Sequence, residues 1–258
     1  MIASLGMYDF VPALQMANDR LWAGIRDGLR SAGIAAPDAL TRGGAAYWDA
    51  WQSPDLVLSQ TCGFPYRARL WDTVTLIGTP DYGVPDCPPG HYVSVYIARK
   101  DDPRRTLADF AKAAFAFNEA LSQSGWAAPQ NHGAGMGIRF RASLQTGGHW
   151  ASAWAVTDGL ADFAAIDAVT WALLLRHDPK VAGLREIART APPTPVLPYI
   201  AARGVDANLY FATVAAAIAA LSPADRDTLL LRGLVRIAPQ AYLAVPSPAA
   251  PDTIAAKL

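Results

Sequence analysis

Phe115-Ala116-Phe117-Asn118-Glu119-Ala120-Leu121-Ser122-Gln123-Ser124-Gly125-Trp126 is the stretch on which the fold turns. It predicts a buried apolar strand over Phe115 to Asn118, then a loop of small hydroxyl residues, then a turn at Ser122 into a helix. A helix N-terminus presents unsatisfied N–H groups and the positive end of its dipole, which together make an anion site. Ser122 and Ser124 add hydroxyl donors, and Gly125 lets a ligand approach the backbone. Such a site needs no lysine, and the chain has only four lysines beside eighteen arginines. The same residues also read as an ordinary N-cap, with Ser124 closing the helix.

A second junction of this kind is Thr146-Gly147-Gly148-His149-Trp150-Ala151-Ser152, after a strand expected over Arg139 to Leu144. His149 would open a helix there, with a ring able to donate to an anion and a charge that responds to pH near neutrality. A lone histidine is also commonly structural or simply exposed. The third junction is Ala164-Ala165-Ile166-Asp167-Ala168-Val169-Thr170, where Asp167 ends an apolar strand over Phe163 to Ile166. Strand ends of this type are where α/β sheets place binding side chains. Asp167 could accept a proton carried by an oxyanion or pair with a ligand ammonium, and it reads equally as the N-cap of the next helix.

Strand and helix patterns alternate on both sides of these junctions, which is the α/β signature. Upstream come a strand over Ile2 to Met7, a helix from about Ala13 to Ala32, a short strand at Leu40-Thr41, and a short helix with Trp48 and Trp51. Strands over Asp55 to Gln60 and Val74 to Gly78 follow. His91 to Arg99 predicts a longer strand, with Val93, Val95 and Ile97 alternating against Ser94 and Tyr96. Thr106-Leu107-Ala108-Asp109 is expected to open a helix, and further helices are expected over Trp150 to Thr157 and Val169 to Leu175. A proline-dense segment, Ala191 to Pro198, precedes a largely helical tail in which Ser222-Pro223 marks a capped start. Two α/β series joined by an extended strand, with a proline-rich return, predict two lobes linked by two crossings. Such a layout puts a small-molecule cleft between the lobes.

The composition excludes several classes. The 258 residues are 52% hydrophobic and 17% charged, with 22 basic against 22 acidic side chains. A neutral balance argues against nucleic-acid binding, and high hydrophobicity argues against disorder. No apolar run reaches the roughly 20 residues that span a bilayer, and the N-terminal residues Met1 to Tyr8 do not read as a signal peptide. Cys62 and Cys87 lie outside any metal-ligand spacing, so no metal is expected, and both a disulfide and two free thiols remain open. Gly133-Ala134-Gly135-Met136-Gly137 lacks the third glycine and the preceding strand of a dinucleotide loop, and no phosphate-binding P-loop occurs. No cofactor is expected. Ser124, His149 and Asp167 are the residues a serine hydrolase would have to bring together, but no nucleophile elbow is present.

Taken in order, Ser122-Gln123-Ser124-Gly125, Thr146 to Ser152 and Ala161-Asp162-Phe163-Ala164-Ala165-Ile166-Asp167 resemble the phosphate, phosphite and phosphonate substrate-binding proteins of ABC transporters. The resemblance extends through Ala3-Ser4-Leu5-Gly6-Met7-Tyr8, Gln60-Thr61-Cys62-Gly63-Phe64-Pro65-Tyr66, Asp81 to Pro85 and Cys87 to Tyr92, nearly the whole chain. It implies a type II periplasmic-binding-protein fold, in which two α/β lobes close on a ligand around a two-strand hinge, with residues 1–99 and 192–258 in lobe 1 and residues 100–191 in lobe 2. It also implies that Ser122, Gln123, Ser124 and Gly125 hold the oxyanion, that His149 and Asp167 complete that half, and that Tyr8, Thr61 and Tyr66 face it from the other lobe. Gln123 stands where many relatives have threonine.

The expected function is therefore binding of a small phosphorus oxyanion by a non-enzymatic, monomeric component of an ABC transporter, with a membrane component as partner. The resemblance implies a periplasmic location, whereas the absence of a readable signal peptide leaves a cytoplasmic one open. A cytoplasmic ligand sensor and an enzyme on the same scaffold are the alternatives.

Overall fold

A computed structural model describes residues 1–251, in two compact units of mixed α/β structure. The first unit holds Met1–His91 and Pro195–Ala244, and the second holds Tyr92–Thr194 and residues 245–251. The strands, in chain order, are β1 (Ile2–Ser4), β2 (Leu56–Gln60), β3 (Val74–Asp81), β4 (His91–Tyr92), β5 (Ser94–Arg99), β6 (Phe115–Phe117), β7 (Ala142–Gln145), β8 (Phe163–Asp167), β9 (Leu184–Arg189), β10 (Thr194–Pro195), β11 (Tyr199–Ala202) and β12 (Gly233–Val235).

The first unit is built on a sheet of order β1-β2-β11-β3-β12. β1 is parallel to β2, and β11 is antiparallel to both β2 and β3, so β1, β2 and β3 end at one edge. The long helix Pro12–Ser31 starts at a proline that suits the first helical position. Its Leu14, Leu21, Trp22, Ile25 and Leu29, at helical spacing, form the buried stripe. It packs on the helix Ala207–Ala220, and Gly28 sets how close they come: a Cβ there would lie 2.7 Å from Thr213 Cγ2.

The second unit has the sheet order β7-β6-β8-β5-β9. β6 is parallel to both β7 and β8, while β5 is antiparallel to β8 and β9. The core on this sheet is aromatic: Phe115 and Phe163 stack at 4.9 Å, and Phe140 meets both rings within 6 Å. β4 and β10 form a two-stranded sheet of their own where the chain passes between units.

Several local expectations differ from what is observed. Leu40-Thr41 forms no strand; a single backbone bond, Thr41 N–H to Ala3 O at 2.7 Å, ties it to β1. The predicted helix after Thr106 is a 3-10 turn, Leu107–Phe110, closed by a capping box between Thr106 and Asp109. The run His91 to Arg99 divides at Val93, and β5 hydrogen-bonds to β8 and β9, so it lies in the second unit rather than ahead of it. The observed crossings are thus at His91/Tyr92 and Thr194/Pro195, against expected boundaries at residues 99 and 192, and a third crossing at Ala244/Val245 returns the chain to the second unit. β9 has no counterpart in the sequence reading, because Leu184-Arg185-Glu186-Ile187-Ala188-Arg189 mixes charge into an edge strand. Cys62 and Cys87 are both free thiols.

Candidate functional site: two sheet edges rich in hydroxyl groups

In the second unit the parallel strands β7, β6 and β8 end together at Gln145, Phe117 and Asp167. The loops that follow β6 and β7 carry the other predicted residues, so Ser122, Gln123, Ser124, Gly125, His149 and Asp167 all gather at this one edge. Ser122 is the cap of the turn Gln123–Ala127 that leads into the helix Ala128–Gly135, and its Oγ accepts the Gly125 N–H at 2.9 Å. Gly125 is required there, since a Cβ would sit 1.8 Å from Asn118 Oδ1. The loop is tied to the sheet by Ser94, which opens β5 opposite Asp167 and donates its hydroxyl to the Ser124 carbonyl at 2.8 Å.

Ser124, His149 and Asp167 converge. Ser124 Oγ lies 2.7 Å from His149 Nε2, and the same nitrogen lies 3.5 Å from Asp167 Oδ2. Asp167 also caps the helix Ala168–His177: Oδ1 accepts the Thr170 N–H at 2.8 Å, and Oδ2 accepts the Thr170 hydroxyl. Of the two sequence readings of this residue, the N-cap is the one observed directly. His149 is the first residue of the helix His149–Thr157, and its side chain is only 12% exposed. Burial pushes the His149 pKa below its ordinary value, against upward pulls from the Asp167 charge and from the backbone at Ala165. A hydrolase relay needs serine on one ring nitrogen and aspartate on the other. Here both meet Nε2, so the arrangement is not that relay.

In the first unit Tyr8 follows β1 in a 3-10 turn and is buried, with its ring edge-on to Tyr82 at 5.2 Å. Tyr82 lies just beyond β3 and accepts a hydrogen bond from Gln60 Nε2 at 2.9 Å. Tyr199, whose phenol pKa is pushed up by burial, also hydrogen-bonds Tyr82. A cavity of about 10 Å³ between these rings has room for one water. Thr61, immediately after β2, is fully buried; its N–H donates to Pro198 O at 3.0 Å, while its Oγ1 has no hydrogen-bond partner. Tyr66 is placed elsewhere. It belongs to the core cluster with Trp51, Leu56, Leu70 and Ile200, packs edge-on against Tyr242 at 5.2 Å, and has its pKa pushed up to about 12 by burial.

Sequence reasoning missed Tyr82, Ser94 and Asn118 as parts of these edges. Tyr82 had a usable signal, since it follows an apolar strand as Asp167 ends one. Ser94 gave none, because it begins an antiparallel strand. Among the described residues no group of His, Cys, Asp and Glu could hold a metal ion, and no helix is long and apolar enough to cross a membrane.

Comparison with known proteins gives a consistent result. The family described as ABC transporter, phosphonate, periplasmic substrate-binding protein matches residues 66–241. No curated protein matches the chain in sequence. Among solved structures, PhnD1 from Prochlorococcus marinus in complex with methylphosphonate is 15% identical, covers 93% of this chain and 94% of its own, and superposes with a TM-score of 0.70. A binding-protein component of a Pseudomonas aeruginosa ABC phosphonate transporter is 16% identical over 88% of this chain and 77% of its own, with a TM-score of 0.61. A Xanthomonas citri protein bound to ATP is 17% identical over 93% and 92%, with a TM-score of 0.66. At these identities the likeness is one of fold.

Proposed function

The chain belongs to the phosphonate substrate-binding protein family of ABC transporters, and on that premise we propose that it binds a small phosphorus oxyanion (phosphonate, phosphite or phosphate) for delivery to a membrane transporter. The family is one of periplasmic binding proteins rather than enzymes. The observation that carries the ligand class is the convergence of Ser124, His149 and Asp167 at the end of parallel strands, beside the capped turn at Ser122. In this reading Ser122, Gln123, Ser124 and Gly125 supply hydroxyls and amides to the oxyanion, His149 donates, and Asp167 accepts a proton borne by the ligand. Tyr8 and Thr61 are proposed as contributions of the other lobe, with the unsatisfied Thr61 hydroxyl as a donor. Tyr66 acts from within the core, by holding the segment that follows Thr61.

Thermal melting of the ligand-free protein against methylphosphonate, phosphite, phosphate and 2-aminoethylphosphonate tests the assignment. A ligand at one hundred times its dissociation constant adds about 2.7 kcal/mol. For a protein of this size that is a rise in Tm of roughly 5–11 °C. A selective rise with one or more of these ions is the expected outcome. No rise with any of the four means that the family fold serves another ligand here.

A further inference from the structure

Trp150 is an exposed side chain that its neighbours hold in place. It follows His149 in the helix His149–Thr157, and 42% of it is open to solvent. A single exposed apolar side chain is ordinary on a protein surface, but this one is fixed from two directions. Trp154, one turn further along the helix, meets the Trp150 ring edge-on with centroids 4.8 Å apart. Trp154 is itself anchored, because its Nε1 donates to Asp178 Oδ2 at 2.6 Å. Lys180 Nζ lies over the Trp154 ring, 4.7 Å from its centroid, while pairing with Asp158. Asp178 in turn caps the turn Pro179–Gly183 by accepting the Lys180 N–H. On the other side the indole leans toward the start of its helix, as long helical side chains do. A Cβ on Gly148 would stand 3.0 Å from Trp150 Nε1, so the ring lies against the residue that precedes His149. It therefore borders the loop that brings His149 Nε2 to Ser124 Oγ.

The chemistry around this ring indicates what it would recognise. Residues 142–157 contain no Asp, Glu, Lys or Arg. Beside the hydroxyl-rich edge, Trp150 thus adds apolar aromatic surface. Asp158 and Asp178 on this side of the helix are engaged with Lys180 and Trp154. We propose that Trp150 is a specificity-determining residue that packs against the organic substituent of the bound oxyanion. It would favour an apolar, planar substituent, such as an aryl group, over a methyl group or a bare inorganic ion. Because Trp154 and its partners fix the indole beforehand, stacking a ligand ring on it costs little side-chain freedom. The inference rests on oxyanion binding as proposed above, and it narrows that reading to organic phosphorus oxyanions.

Calorimetric titration of phenylphosphonate and methylphosphonate into wild type and Trp150→Ala tests this. Wild type is expected to bind phenylphosphonate about tenfold more tightly than methylphosphonate, the gain of one well-placed aromatic pair. In Trp150→Ala the two dissociation constants are expected to converge. If the variant does not fold, nuclear magnetic resonance of the wild-type complex decides, through Overhauser contacts between the phenyl protons and the Trp150 indole. No preference for phenylphosphonate in wild type, an equal loss of both ligands in the variant, or no such contacts in the complex overturns the inference and leaves the oxyanion reading standing. Absence of binding by phenylphosphonate, methylphosphonate, phosphite and phosphate overturns both.

Discussion

Gly125 shows how a residue without a side chain can govern a site. A Cβ at this position would lie 1.8 Å from Asn118 Oδ1, 2.8 Å from Asn118 Cγ and 3.1 Å from Ser122 Oγ. Gly125→Ala must therefore displace Asn118 or break the bond from the Gly125 N–H to Ser122 Oγ, and either change moves the hydroxyl loop. Overpacking of this kind costs about 1–3 kcal/mol, so a drop in Tm of several degrees is expected in the ligand-free protein. Methylphosphonate affinity is expected to fall by at least tenfold, since the loop that carries Ser124 shifts with it. Titration of the folded variant checks this, and wild-type affinity in it would remove the loop from the oxyanion site. Asn118 was within the decisive stretch of sequence, yet its contact with Gly125 joins residues seven apart, beyond what helix or strand period can announce.

At the level of elements, the three strand-to-helix junctions were legible because each combines an apolar run of strand length with small or capping residues directly after it. β6, β8 and the helices behind them follow from that pattern, and with them the positions of Ser122, Ser124, His149 and Asp167. What stayed hidden were the pairings. The edge strand β9 carries Arg185, Glu186 and Arg189 and shows no clear alternation; it is a strand because β5 offers it a ladder. Tyr66 looked like a ligand contact by its position in a family segment, but its packing on Tyr242 depends on a residue far along the chain, and no local pattern predicts it. Phe163 is where the pairings and the core meet, touching Phe110, Phe115 and Phe140. Phe163→Ala is expected to lose about 3–5 kcal/mol, read from denaturant unfolding followed by tryptophan fluorescence. A loss under about 1 kcal/mol would mean that the sheet repacks without this ring, contrary to the dense interior expected of such a cluster.

For the whole molecule, the chain makes three passages between its units, where the sequence pattern showed two. The third is invisible to periodicity, because Val245 to Pro251 is irregular and rich in proline and alanine, with nothing amphipathic to mark a partner. Its attachments are specific all the same. Trp126 Nε1 donates to Ala249 O at 3.0 Å, and Asn131 Nδ2 donates to Pro246 O at 2.9 Å. Both donors lie on the helical segment that begins at Gln123, and Trp126 directly follows Gly125, so the strap braces the turn that presents the hydroxyl loop. Each bond contributes about 0.5–1.5 kcal/mol net. A chain ending at Ala244 should therefore lose roughly 1–3 kcal/mol of local stability in the second unit. The sheet and helices of the first unit are built from residues that such a chain retains. Amide hydrogen exchange resolves the two: faster exchange across Trp126 to Gly135 with little change in the helix Pro12–Ser31 is the expected pattern. Methylphosphonate should dissociate faster from the shortened chain, because the loop proposed to contact it is held less rigidly. Unchanged exchange over Trp126 to Gly135 would show that the strap rests on this surface without bracing it.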